Sequence, residues 1–155
     1  MKITLLVVGK TTDKHLGTLI SDYCGRLKHY IPFDTQVIGD VVKGKVSMDL
    51  QKKQEGDLIL KAVGTSATVI LLDERGEQYR SVDFATYVQK QMSASRDVIF
   101  VVGGPYGFSK EVYDRANGLI SLSKMTFSHQ MIRLLFVEQL YRACTIIKHE
   151  PYHHE

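Results

Sequence analysis

The stretch "FVVGGPYGFS", residues 100–109, sets five apolar or glycine residues ahead of Pro105, adds a third glycine at Gly107, and ends on Ser109. A β-branched run leaving into two glycines reads as a buried strand, and Ser109 reads as the cap of a following helix. The glycines leave two readings open: a tight turn, or a place where backbone comes close to a ligand.

Working outward, similar apolar runs at 3–8, 35–42, 67–72, 97–102 and, more weakly, 119–122 predict strands. Helical periodicity separates them. Leu16, Leu19, Ile20, Tyr23, Leu27 and Tyr30 share one face after a cap at Thr12 or Asp13. Ser47, Ser81 and Ser109 are placed to cap helices over 48–63, 82–94 and 110–117, with Gly118 just past the end of the last. A final helix over 129–148 is apolar on almost every side from Met131 to Tyr141, which predicts burial on several faces, one of them against a second subunit. Alternating strands and helices, with strands too apolar for a wet face, predict a single α/β domain around a mainly parallel sheet. Ligands of such sheets sit beyond the carboxyl ends of strands, here the loops after Leu72, Val102 and Leu122.

The 155-residue length suits one domain, and 44% hydrophobic with 24% charged residues is an ordinary soluble composition. No run is long enough to span a bilayer, and the apolar run at 3–8 is too short for a signal peptide, so a cytoplasmic location is expected. A net charge of +3 permits an anionic partner without identifying one. Cys24 and Cys144 fit neither a disulfide framework nor a metal-ligand spacing and are expected to be packed thiols.

"VVGKTT" ends like a phosphate-binding loop, but the glycine that motif needs is Thr4, and the spacing of Gly103, Gly104 and Gly107 does not fit the dinucleotide fingerprint. His149, His153 and His154 lack a nearby cysteine or acidic cage, so no metal is expected. His129, at the start of the last helix, is either a neutral acceptor beside the helix dipole or a capping and packing residue. Glu138 and Arg142 stand i, i+4 as an intrahelical pair would, yet two charges on so apolar a helix invite a specific role.

"MKITLLVVGK" (1–10), "VVGGPYGFS" (101–109), "SLSKMTFSHQMIRLLFVEQLYRA" (121–143) and "HEPYHHE" (149–155) together resemble the ribosomal large-subunit methyltransferase H (RlmH) family along the whole chain. The resemblance implies the SPOUT fold, an α/β domain whose C-terminal segment is threaded into a trefoil knot that holds S-adenosylmethionine, and a homodimer formed through the knot. It implies as substrate a pseudouridine of large-subunit ribosomal RNA, methylated at N3 within the assembled ribosome, with no membrane partner. By motif, the cofactor-binding residues are Leu72, Gly103, Leu122, Ser123, Lys124, Met125, Thr126 and Phe127. Candidates for orientation and proton removal are His129, Glu138, Arg142, Tyr152 and His153, with the base unassigned. The chain departs from the family at Ser128, where proline is common, and at His154, where arginine or lysine is usual. A non-catalytic ribosome-binding module and a small nucleotide hydrolase are the competing readings. The first is opposed by the intact glycine loop and tail, the second by the absence of a nucleophile elbow, phosphate loop or acidic metal cluster.

Overall fold

The computed structural model describes residues 1–39 and 46–155 of the chain. Strands β1 (Ile3–Val8), β2 (Phe33–Ile38), β3 (Thr68–Gln78), β4 (Val98–Val102) and β5 (Gly118–Ser121) form one sheet in the order β2-β1-β4-β3-β5. Every pairing is parallel. Period-two alternation sends the two sides of each inner strand to different cores. Leu5, Val7, Ile70 and Phe100 face one cluster, while Leu6, Val8, Leu71 and Val101 face the other. Helices α1 (Lys14–Leu27), α3 (Ser81–Ser93) and α5 (Met131–Ile147) cover the first side, and α2 (Met48–Val63) and α4 (Lys110–Arg115) the second.

Most boundaries shift by one or two residues from the sequence expectations, and a few differences have a physical cause. β2 begins at Phe33 rather than 35, and the expected end of that strand, 40–42, lies outside the described residues. As an edge strand it has exposed Asp34, Thr35, Gln36 and Val37, so this strand does have a wet side. β3 continues to Gln78, because both Leu72 and Glu77 pair with Ile120 and residues 73–76 are looped out between them. Gly76 allows this: a Cβ there would lie 2.6 Å from the backbone of Ile120. α4 ends at Arg115, and Gly118 opens β5 instead of closing a helix.

Ser47 and Ser109 cap their helices through Leu50 and Val112 amides, and Asp13 rather than Thr12 caps α1. The Leu16 and His15 amides, which donate to the Asp13 carboxylate, hold it below its usual pKa. Ser81 is not a cap. It is the first residue of α3, and its hydroxyl donates to Gln139 Oε1 on α5 at 2.8 Å.

α5 lies between α1 and α3 on the sheet: Phe136, Val137, Leu140, Ala143 and Cys144 are buried, Ile132, Leu134, Leu135 and Tyr141 are half-buried, and Met131 is exposed. Four exposed large apolar side chains, Met48, Tyr106, Met125 and Phe127, surround one cavity, whereas Leu19, Val37 and Leu50 are exposed away from it. No helix among the described residues is long and apolar enough to cross a membrane.

Candidate active site

That cavity, about 740 Å³, opens where β3 is interrupted after Leu72 and at the carboxyl ends of β4 and β5, within the size range of small-molecule sites. Of the eight expected cofactor positions, Leu72, Gly103, Leu122, Ser123, Met125, Thr126 and Phe127 line it, and Lys124 does not. Val102 and Ile132 add apolar wall, and His129 lines it too.

The glycine turn has a physical cause inside the chain. A Cβ on Gly103 would come within 2.9 Å of the Phe108 ring, and one on Gly104 within 2.4 Å of Oε1 of Glu55, a carboxylate only 2% exposed. The glycines therefore let the loop lie against its own protein, and the turn closes with the Gly107 amide donating to the Gly104 carbonyl at 3.2 Å. The space beside Gly103 belongs to Phe108, so a side chain there would displace that ring before it met a ligand.

A second group in the lining carries no local signature in the sequence. Asp73, Glu74 and Arg75, looped out of β3, reach the cavity with Tyr113 of α4. Asp73, its side chain 8% exposed, accepts from the Tyr113 hydroxyl, while Arg75 donates to the same hydroxyl and lies 4.8 Å over that ring. Burial, and secondarily the bond to Asp73, raises the Tyr113 pKa. Glu74 accepts from Thr126 at 3.2 Å, tying the looped-out segment to the 122–127 loop. A run such as "DERGEQ" after a strand reads as solvated loop, and Tyr113 lies 40 residues away from Asp73.

The exit of the 122–127 loop is fastened to the exit of β1. Ser128, where the family commonly has proline, caps α5: its Oγ accepts from the Met131 amide at 3.0 Å. Gln130 accepts from the Thr12 amide at 2.9 Å and donates to the Lys10 carbonyl at 3.1 Å. Arg133, 1% exposed, donates to the carbonyls of Val8 at 2.7 Å, Gly9 at 2.8 Å and His129 at 3.0 Å, and to the Thr11 hydroxyl at 3.1 Å.

Glu138, Arg142, Tyr152 and His153 form a separate network. Arg142 donates to Glu138 Oε1 at 2.6 and 3.2 Å, and its Nη1 lies 3.1 Å from His153 Nδ1. Tyr152 donates to the same Glu138 oxygen at 3.1 Å and meets Tyr141 edge-on with centroids 4.8 Å apart. Its hydroxyl pKa is raised, first by burial and then by Tyr23 and Glu138. An arginine N–H pointed at Nδ1 occupies the one lone pair of a neutral imidazole and leaves the ring proton on Nε2, where no hydrogen-bond partner is present among the described residues.

The tail is not frayed, contrary to the usual behaviour of a short polar terminus. The Glu150 amide bonds Thr145 and the His149 amide bonds Ile146, a paired C-terminal motif that places His149 at φ 58 and turns Pro151 back toward α1. Tyr30 donates to Glu150 at 2.6 Å, and Arg80 to Glu155 at 2.7 Å. At 1.5 Å rise per residue, Glu138 lies roughly 13 Å and Arg142 roughly 20 Å along α5 from His129. None of the four network residues lines the cavity.

A parallel sheet with this order, whose cavity is built from the loops after β3, β4 and β5, falls within the SPOUT methyltransferase class: a family model described as a predicted SPOUT methyltransferase matches residues 1–153. Curated relatives named ribosomal RNA large subunit methyltransferase H are 55% identical in Phocaeicola vulgatus and in Bacteroides thetaiotaomicron, each over 100% of both chains, and 56% identical in Christiangramia forsetii over 99% of both. The chain belongs to the ribosomal RNA large subunit methyltransferase H family. A solved structure of a probable methylase family protein from Haemophilus influenzae shares the fold, with TM-score 0.56 and 14% identity over 99% of this chain and 70% of that one.

Proposed function

We propose that the protein is a cytoplasmic methyltransferase that uses S-adenosylmethionine to methylate N3 of a pseudouridine in large-subunit ribosomal RNA, acting on the assembled ribosome. The supporting observation is the convergence of seven motif-matched residues on one cavity at the strand ends, in a chain whose relatives carry that enzyme's name.

The residues suit this methyl donor. The 122–127 segment offers backbone donors and acceptors to an adenine edge, with Leu72, Val102, Leu122 and Ile132 as apolar walls. Bound there, S-adenosylmethionine supplies a methyl carbon already activated by its sulfonium. The protein's part is to align N3 and to give its proton a path, alignment being worth several kcal/mol of barrier. Lys124, outside the lining, is assigned to the rim of the cofactor loop.

The N3 proton is assigned to the Glu138, Arg142, Tyr152 and His153 network, with His129 at the cavity end. The network and the cavity lie at different heights on α5, and none of the four network residues lines the cavity. A homodimer in which the tail of one subunit meets the cavity of the other resolves this, and the exposed Met48, Tyr106, Met125 and Phe127 at the cavity rim are the apolar surface it would cover.

Incubation with radiolabelled S-adenosylmethionine and ribosomes lacking the modification should label the large-subunit RNA at one pseudouridine. Absence of label, with cofactor binding intact, would overturn the reading. Light scattering should give twice the 17.6 kDa chain mass, and a monomer at micromolar concentration would remove the composite site.

A further inference from the structure

We infer that Asp73 makes the cavity a sensor of the methyl donor's positive charge, so that the site distinguishes the sulfonium form from the neutral thioether left after transfer. This rests on the cofactor reading above and adds a residue with no assigned role.

The two ligand forms differ by one methyl group and one unit of charge. Apolar walls discriminate weakly on a single methyl, typically tenfold or somewhat more, and the gain favours whichever form fills the wall better. A fixed carboxylate in a poorly solvated wall discriminates on charge, because its field is less screened there than in bulk water. Asp73 meets these conditions. It lines the cavity, and its side chain is 8% exposed, whereas the neighbouring Arg75 is 69% exposed.

The Asp73 carboxylate is also held still. One oxygen takes the Arg75 amide at 2.8 Å, the other takes the Tyr113 hydroxyl, and the Arg75 guanidinium approaches at 3.5 Å. The guanidinium partly offsets the carboxylate, but it stands in solvent and is screened, so the wall retains a negative bias. Glu74 adds to that bias from an exposed position and is tied to Thr126 of the cofactor loop. Arg75, Tyr106 and His129 are the remaining ionisable residues in the lining, and Tyr113, its pKa raised first by burial, stays neutral. A field of this kind weakens its hold on the neutral product, which favours exchange for fresh donor after each turnover.

Calorimetry on the full-length protein with S-adenosylmethionine, S-adenosylhomocysteine and sinefungin tests it without turnover. Sinefungin carries an ammonium near the position of the sulfonium and serves as a cationic probe. The wild type should bind both cations more tightly than the thioether. Asp73→Asn keeps an acceptor for the Arg75 amide, and it should shrink the cation preference roughly three- to tenfold, about the effect of one screened unit charge. Tyr113→Phe frees the carboxylate from one bond but keeps its charge, so it should preserve most of the preference. An Asp73→Asn protein that loses affinity for all three ligands equally, or keeps the wild-type ratio, overturns the inference. A wild type that binds none of the three overturns the cofactor reading and the inference with it.

Discussion

The Tyr152 hydroxyl donates to Oε1 of Glu138 at 3.1 Å, and the same oxygen takes two bonds from Arg142. One carboxylate thus fixes both the phenol of the tail and the guanidinium that orients His153. Tyr152→Phe keeps the edge-on contact with Tyr141 and removes only the hydroxyl. It is expected to cost at most about 1 kcal/mol in denaturant unfolding while lowering methyl transfer to ribosomes by about 100-fold or more. Wild-type turnover in this variant would take the hydroxyl out of the chemistry.

Deleting residues 152–155 is a different perturbation, because the tail is docked. It removes the Tyr152 contacts and the Arg80–Glu155 pair, of which the exposed pair contributes little. A loss of roughly 1–3 kcal/mol is expected, together with loss of transfer and nearly unchanged cofactor affinity. Thermal unfolding and calorimetry on one preparation separate the effects, and unaltered stability would mean that the tail does not dock in solution.

Gly104→Ala and Gly107→Ala should differ although they are three residues apart. At Gly104 the new methyl meets the buried Glu55 carboxylate, an overpacking expected to cost about 1–3 kcal/mol and to weaken cofactor binding. At Gly107 there is open space, and the cost is only that of holding alanine at φ 79, about 1 kcal/mol. Equal losses in stability, with equal cofactor affinity, would show that contact with Glu55 does not restrict the turn.

The two thiols set an alkaline limit. Burial pushes Cys24 up to about 11 and Cys144 up to about 12, from an ordinary 9.0. A folded pKa raised above the unfolded one gives a stabilising contribution that is complete below about pH 9 and is lost as pH rises toward 11 and 12. Unfolding free energy measured from pH 8 upward should therefore decline, less so in Cys24→Ser. Native protein at pH 8 should also react with a disulfide reagent far more slowly than urea-unfolded protein. Equal rates would contradict the burial.

Much of this fold was legible in the residues, for identifiable reasons. β1 and β4 are short apolar runs bounded by polar or glycine residues, and their limits follow from that pattern. β3 was cut short at Leu72 because a four-residue loop-out interrupts its pairing, and pairing with β5 then resumes through polar Glu77 and Gln78. Ser81 looked like a cap because it precedes a helical pattern, but the side-chain partner it finds is Gln139, 58 residues later. In the cavity lining, Leu122, Ser123, Met125, Thr126 and Phe127 are legible because they fall in one short run of sequence. Asp73 with Tyr113, and Gln130 and Arg133 with residues 8–12, join through tertiary packing that leaves no local signature. The apolar girth of α5 is visible in the sequence, and its position between α1 and α3 covers part of it.

Arg133 carries a consequence for the order of assembly. Its acceptors on Val8 and Gly9 stand 125 and 124 residues earlier in the chain, so β1 is completed by a helix made that much later in synthesis. Closing so long a loop is slow relative to local contacts. Until it closes, the carbonyls at the end of β1 must stay hydrated. The nascent chain is thus held in an unfinished state until its C-terminal region has left the ribosome.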